Sequence, residues 1–221
     1  MPYDAVVFDN DGVLTHPTPR DVLRDATVEA FERVGVADPD PAHVDAIHLH
    51  VTPDDLRTAA DAYGLDAAAL WRARDEAFSE TQVADLERGR KPLYDDYGAV
   101  PELDVRRGIV STNQHRTIEE ILDVHGIREH FGAYYGREME PASLRKKKPD
   151  SHYLDCALAD LGVDPERALF VGDSQSDVEA ARNAGTDAAF LRRDHRADYD
   201  LTVDPEYELQ SLYDLRDVAG V

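Results

Sequence analysis

Short apolar runs alternate with helical patterns over most of the chain. Each run is three or four residues long and is bounded by polar or glycine-containing turns, as expected for a buried strand. The runs are Val6 to Phe8, Gly108 to Ser111, Ala168 to Val171 and Ala188 to Leu191. Helical periodicity follows two of them, at Thr117 to His125 and Ser176 to Ala184. This alternation predicts an α/β fold, a parallel sheet with helices on both faces.

The segment between the first two runs has a different pattern. Apolar residues recur there at three- and four-residue spacing, and no strand is predicted. The expected helices are Val22 to Val34, Pro41 to His50, Pro53 to Tyr63 and Asp66 to about Leu86. We therefore expect a discontinuous core of residues 1–15 and 92–221, interrupted by a helical insertion at 16–91.

Charge changes the expected environment more than the expected fold. The 221 residues include 46 acidic and 24 basic side chains, a formal net charge of −22, and only four of the basic residues are lysines. This charge should repel nucleic acid and anionic membranes. Because molar salt shortens the Debye length to about 3 Å, the composition predicts a protein of a high-salt cytoplasm. With no basic leader at the N-terminus and no apolar stretch of about 20 residues, we expect a cytoplasmic location.

Four polar clusters follow predicted strands or loops. They are Asp9-Asn10-Asp11-Gly12, Ser111-Thr112-Asn113, Lys148-Pro149-Asp150 and Gly172-Asp173-Ser174-Gln175-Ser176-Asp177. Each is weak alone, since acidic turns and Ser/Thr caps are common. Open parallel sheets bind ligands beyond the carboxyl ends of their strands, so the four together predict one site.

In this order, the clusters resemble the motifs of the haloacid dehalogenase superfamily. The segments Val6 to Leu14 and Phe170 to Gly185 are similar to its first and fourth motifs, and Ser111 and Lys148 match the second and third by position. The subgroup it most resembles is the capped phosphatases, similar to phosphoglycolate phosphatase and β-phosphoglucomutase. The resemblance implies a Rossmann-like doubly wound core, a helical cap at 16–91, aspartyl-phosphate chemistry and Mg²⁺.

The same resemblance implies a role for each motif residue. Asp9 would be the nucleophile and Asp11 the general acid and base, because a leaving alkoxide needs a proton and the phosphoenzyme needs an activated water. Phosphate binding falls to Ser111, Thr112 and Lys148. The implied metal ligands are the Asp9 carboxylate, the Asp11 backbone carbonyl and the Asp173 carboxylate, with Asp177 close to the metal in a supporting role.

Several alternatives stay open at this stage. The expected function is Mg²⁺-dependent hydrolysis of a small phosphorylated metabolite, phosphoglycolate being the guess by resemblance, and a sugar-phosphate mutase is the alternative. A 2-haloacid dehalogenase is less favoured because Asp11 suits phosphoryl transfer. Two alternatives without catalytic turnover are a phospho-Asp signalling module and a catalytically silent binding protein. His16 and His115 lie beside motif residues without an assigned role, and the oligomeric state is left open.

Overall fold

The computed structural model describes residues 3–218, and its centre is a six-stranded parallel sheet. The strands are β1 (Ala5–Phe8), β2 (Arg106–Gln114), β3 (Ala133–Arg137), β4 (Ala168–Gly172), β5 (Asp187–Leu191) and β6 (Tyr207–Leu209). Their spatial order is β3-β2-β1-β4-β5-β6. The chain order therefore reverses beside β1, which is the point where open α/β sheets form a ligand crevice.

Within residues 3–218, seven α-helices surround this sheet or lie between its first two strands in sequence. They are α1 (Arg20–Arg33), α2 (Pro41–His48), α3 (Pro53–Ala62), α4 (Ala67–Glu87), α5 (His115–Val124), α6 (His152–Leu161) and α7 (Gln175–Ala184). Among residues 3–218, none of them is both long and apolar enough to cross a bilayer.

Both faces of the sheet are covered, which follows from the alternation of side chains along each strand. In β1, Val6 and Phe8 join a buried cluster with the apolar side of α5, whereas Ala5 and Val7 join a second cluster with α6 and α7. A strand buried on both faces reads as an unbroken apolar run. The predicted doubly wound, Rossmann-like parallel sheet is confirmed.

The four helices of the insertion pack mainly on one another. Helix α1 lies against α4, and their alanines form one apolar cluster with Phe78. A second cluster contains Phe31, Ile47, Leu56 and Trp71. The chain enters and leaves this helical unit side by side, since Thr15 bridges to Leu93. The boundaries 16–91 and the action of this unit as a cap stay predictions.

The structure differs from the sequence-based expectation in several elements, including α2, β3 and β6. The second helix ends at His48 rather than His50, because Leu49 is extended and His50 has a left-handed φ of 55°. Strands β3 and β6 were not expected. Both are sheet edges; β3 carries two half-buried tyrosines and an arginine, and β6 has only three residues, so neither reads as an apolar run.

Candidate active site

The predicted site residues converge where the chain order reverses. Asp9 directly follows β1, and its backbone N–H donates to the Val171 carbonyl of β4 at 2.8 Å. Asp173 directly follows β4, and Lys148 reaches the same edge from the segment between β3 and α6, where its Nζ lies 3.4 Å from the carbonyl oxygen of Val110. Three separate parts of the sequence therefore meet at the carboxyl ends of the two central strands.

A buried lysine pairs with two carboxylates at the centre of this site. Lys148 Nζ lies 2.9 Å from Asp9 Oδ1 and 2.5 Å from Asp177 Oδ1. Burial lowers the pKa of Lys148, but the charges of Asp177 and Asp9 outweigh burial, and the net shift is upward. Burial raises the pKa of Asp9 to about 8, with Asp177 and Asp173 adding to the rise and Lys148 opposing it. One lysine therefore leaves this carboxylate cluster short of positive charge.

Asp9, Asp173 and Asp177 are all buried, and their carboxylate oxygens lie within 4.8 Å of one another. Asp177 is held by a reciprocal capping box at the start of α7, where its Oδ2 accepts from the backbone N–H of Ser174 at 3.0 Å. Buried carboxylates this close repel each other unless a cation intervenes. Three hard oxygen donors of this kind suit a divalent ion such as Mg²⁺.

Two further basic side chains contact Asp173. His195 Nε2 and Arg196 Nε lie 2.7 Å and 3.1 Å from Asp173 Oδ2. Burial raises the pKa of Asp173, but these partners outweigh burial and lower it overall. Neither residue was predicted from the sequence, because the loop after β5 carries no motif. Gly12 lies against this pair with a φ of +83°, and a Cβ there would lie 2.3 Å from Asp173 Oδ2, so only glycine fits.

Asp11 lies apart from the three clustered carboxylates and has its own partners. Its Oδ1 contacts Nζ of Lys91, and its Oδ2 accepts from Asn113 Nδ2 at 3.0 Å. Lys91 is only 1% exposed, whereas lysine side chains usually lie on the protein surface. Neither partner was predicted from the sequence, since Lys91 is 80 residues and Asn113 is 102 residues from Asp11.

Strand β2 continues to Gln114 and so includes Thr112, which corrects the expected end of this strand at Ser111. The pairing of β2 with β3 shifts register between Val110 and Gln114, so this part of the strand leaves the regular ladder. Ser111 is buried, and its Oγ accepts from the backbone N–H of Asn113 at 3.1 Å. Thr112 is exposed.

The two histidines beside the motifs have partners within the protein. The His16 ring stacks on Tyr94 with centroids 3.9 Å apart, and His115 Nδ1 accepts from the backbone N–H of Gly136 at 3.2 Å. Asn10, a polar residue between two aspartates, is buried, and its Nδ2 donates to Thr15 Oγ1 at 3.0 Å. Asn10 therefore closes the turn that carries Asp11.

With this geometry established, comparison with known proteins identifies the family. A family model described as haloacid dehalogenase-like hydrolase matches residues 3–185. The chain belongs to the haloacid dehalogenase-like hydrolases. The predicted family is confirmed, and with it the assignment of the chain as an enzyme of the hydrolase class.

Relatives within this family act on phosphorylated compounds. The chain is 30% identical to pyrophosphatase PpaX of Bacillus velezensis over 66% of each protein, so the match spans just under two thirds of that relative. It is 28% identical to the N-acetylmuramic acid 6-phosphate phosphatase of Pseudomonas aeruginosa over 87% of this chain and 83% of that enzyme. The crystal structure of CbbY from Rhodobacter sphaeroides in complex with phosphate superposes with a TM-score of 0.71, 23% identity and 96% coverage of both chains, which shows the shared fold.

Proposed function

We propose that this hydrolase removes the phosphoryl group from a small phosphorylated metabolite, with Asp9 as the nucleophile and Mg²⁺ as the cofactor. The observation that carries the proposal is the buried arrangement of Asp9, Asp173 and Asp177 around Lys148 at the carboxyl ends of β1 and β4. The chain is similar to a pyrophosphatase and to an N-acetylmuramic acid 6-phosphate phosphatase, and both names support a phosphoryl group as the group transferred.

In the first step, an Asp9 oxygen attacks phosphorus and the bond from phosphorus to the ester oxygen breaks. Lys148 pairs with Asp9 and favours its ionised form, which opposes the rise in pKa that burial causes. Asp11 donates its proton to the departing oxygen, which therefore leaves as an alcohol. Ser111 and Thr112 are proposed to hold phosphoryl oxygens, as positive charge and hydroxyl donors stabilise the transferring group.

In the second step, Asp11 takes a proton from water while the water oxygen attacks the phosphorus of the aspartyl phosphate. The bond between Asp9 and phosphorus breaks, inorganic phosphate leaves, and the Asp9 carboxylate is regenerated. One carboxyl group thus serves both steps, and no external oxidant or reductant is required.

The residues present fit a divalent cation. The three carboxylates contact two permanently charged side chains, Lys148 and Arg196, so a hard cation would offset the remaining negative charge. Asp9, Asp173 and Asp177 would hold it together with the backbone carbonyl of Asp11, with Asp177 in a supporting position. When bound, Mg²⁺ supplies positive charge that offsets the charge of the phosphoryl oxygens.

The substrate is proposed by class only, as a small phosphomonoester. Suitable esters for a screen are phosphoglycolate, N-acetylmuramic acid 6-phosphate and hexose 1-phosphates, and the last of these also test the mutase alternative. The anhydride pyrophosphate is screened beside them. A mutase would return the phosphoryl group to a sugar, so isomerised sugar phosphate would form with little free phosphate.

The test is phosphate release from this panel and from an aryl phosphate at high KCl, with and without Mg²⁺. We expect release that requires Mg²⁺ and is lost in Asp9→Asn, since the amide oxygen is a far weaker nucleophile than a carboxylate. Asp200→Asn, a change of the same chemistry outside the site, is the matched control and should retain activity. Undiminished release by Asp9→Asn would refute the proposed nucleophile.

A further inference from the structure

Both oxygens of the Asp11 carboxyl group have a partner. Nζ of Lys91 contacts Oδ1, and Asn113 Nδ2 donates to Oδ2 at 3.0 Å. Lys91 Nζ also donates to the His16 carbonyl oxygen at 3.2 Å, so the lysine spans the two chain segments that join the helical insertion to the core. The Asp11 side chain is only about 29% exposed, and its orientation is set on two sides.

The orientation of Asn113 is in turn determined by Gln82 of helix α4. Gln82 Nε2 donates to Asn113 Oδ1 at 2.9 Å, and Asn113 Nδ2 donates to Gln82 Oε1 at 2.6 Å. The backbone N–H of Gln114 donates to the same Asn113 Oδ1 at 3.0 Å. Because Oδ1 already accepts twice, the amide nitrogen must face Asp11. Gln82 is 3% exposed, so these bonds compete little with water.

We propose that Lys91 and Gln82 are positioning residues for the acid–base step, Lys91 by contact with Asp11 and Gln82 through Asn113. The inference rests on the proposed function, in which Asp11 protonates the leaving group and later activates water. A group that gives a proton to one oxygen and takes it from another must be aimed at both positions. Helix α4 and the chain segment after it thereby contribute to the chemistry without touching the phosphoryl group.

The leaving group distinguishes this role from simple support of the fold. An alkyl phosphate needs a proton from Asp11 when its alkoxide departs, whereas a nitrophenyl phosphate releases a stable phenolate that needs none. A misplaced Asp11 should therefore slow attack on the alkyl ester more than attack on the aryl ester. A variant that is merely less folded would slow both by the same factor.

The experiment compares kcat/KM for p-nitrophenyl phosphate and for an alkyl phosphate in the wild type, Lys91→Met and Gln82→Leu. We expect the ratio of kcat/KM for the aryl ester to kcat/KM for the alkyl ester to rise about tenfold in both variants. General acid–base catalysis typically accelerates a reaction about 10²- to 10⁴-fold, and a misplaced Asp11 should lose part of this acceleration. Rapid mixing with the aryl ester should show a burst of nitrophenol, because hydrolysis of the phosphoenzyme also needs Asp11. Lys91→Arg, which keeps a charged donor, should restore the ratio toward the wild-type value.

The matched controls are Arg90→Met, on the residue before Lys91, and Glu87→Gln, on the exposed side of α4, and both should keep the wild-type ratio. An unchanged ratio in Gln82→Leu and Lys91→Met, with an active wild type, overturns this inference and leaves the phosphatase proposal standing. A wild type inactive on every phosphate ester overturns both. If Lys91→Met does not fold, the Gln82→Leu ratio decides.

Discussion

A buried ion pair joins helix α4 of the insertion to the end of strand β3. Arg137 Nη2 and Nη1 donate to Asp75 Oδ1 and Oδ2 at 2.7 Å and 2.8 Å, and the Asp75 side chain is 0% exposed. Asp75 also accepts from Arg74 Nη1 at 2.8 Å and from Gln114 Nε2 at 2.9 Å. Bidentate pairs of this kind are the strongest of the charged hydrogen bonds.

Removal of one partner should therefore be costly. In Arg137→Met the volume is largely kept, but Asp75 loses two of its hydrogen bonds in a site that water does not reach. Breaking a buried pair costs about 3–5 kcal/mol. At about 2–4 °C per kcal/mol for a chain of this size, the melting temperature should fall by about 6–20 °C.

The cost should also depend on pH. Burial raises the pKa of Asp75, but Arg137 and then Arg74 outweigh it, and the pKa lies below its usual value. A carboxyl group with a lowered folded-state pKa contributes stability above its unfolded pKa of about 4, and this contribution is lost as the pH falls through the folded value. The difference in stability between the wild type and Arg137→Met should be full at neutral pH and shrink below about pH 4.

Urea unfolding followed by far-ultraviolet circular dichroism at constant KCl measures this difference. The exposed pair of Arg24 and Asp45, also 2.8 Å apart, supplies the matched control. Arg24→Met should cost less than about 1 kcal/mol because water and salt screen its charge. An Arg137→Met variant that loses as little as this control at neutral pH would refute the reasoning.

Three further predictions follow from the site and the charge. Gly12→Ala should lower activity and destabilise the protein by about 1 kcal/mol or more, because alanine at positive φ is strained and its Cβ would meet Asp173; kinetics and urea unfolding on one preparation test both effects. Mg²⁺ should raise the melting temperature of the wild type, by the equivalent of about 2.7 kcal/mol at 100 times its dissociation constant, and raise that of Asp173→Asn far less, while equal shifts would argue against Asp173 as a ligand. Raising KCl from about 0.1 M to about 1 M should stabilise the protein through screening of its net charge of −22, and a melting temperature that is flat or falling with KCl would contradict the high-salt assignment.

Much of the core could be predicted because its signals are local. The apolar runs that became β1, β4 and β5 are continuous in sequence, and the polar groups at the ends of β1 and β4 follow them directly. The sheet edges β3 and β6 were missed for the opposite reason. Strand β3 includes two tyrosines and an arginine, and β6 is three residues long, so their pairing depends on the neighbouring strands and leaves little pattern in the sequence.

The sequence by itself determined the fold class, the family motifs and the acidic surface, all of which depend on residue type and spacing. Tertiary structure alone brought Lys91 and Gln82 to Asp11 and Asn113, and His195 to Asp173. The physical reason is that a side chain's burial and partners depend on how distant segments pack, and a lysine destined for the interior looks the same in sequence as one on the surface.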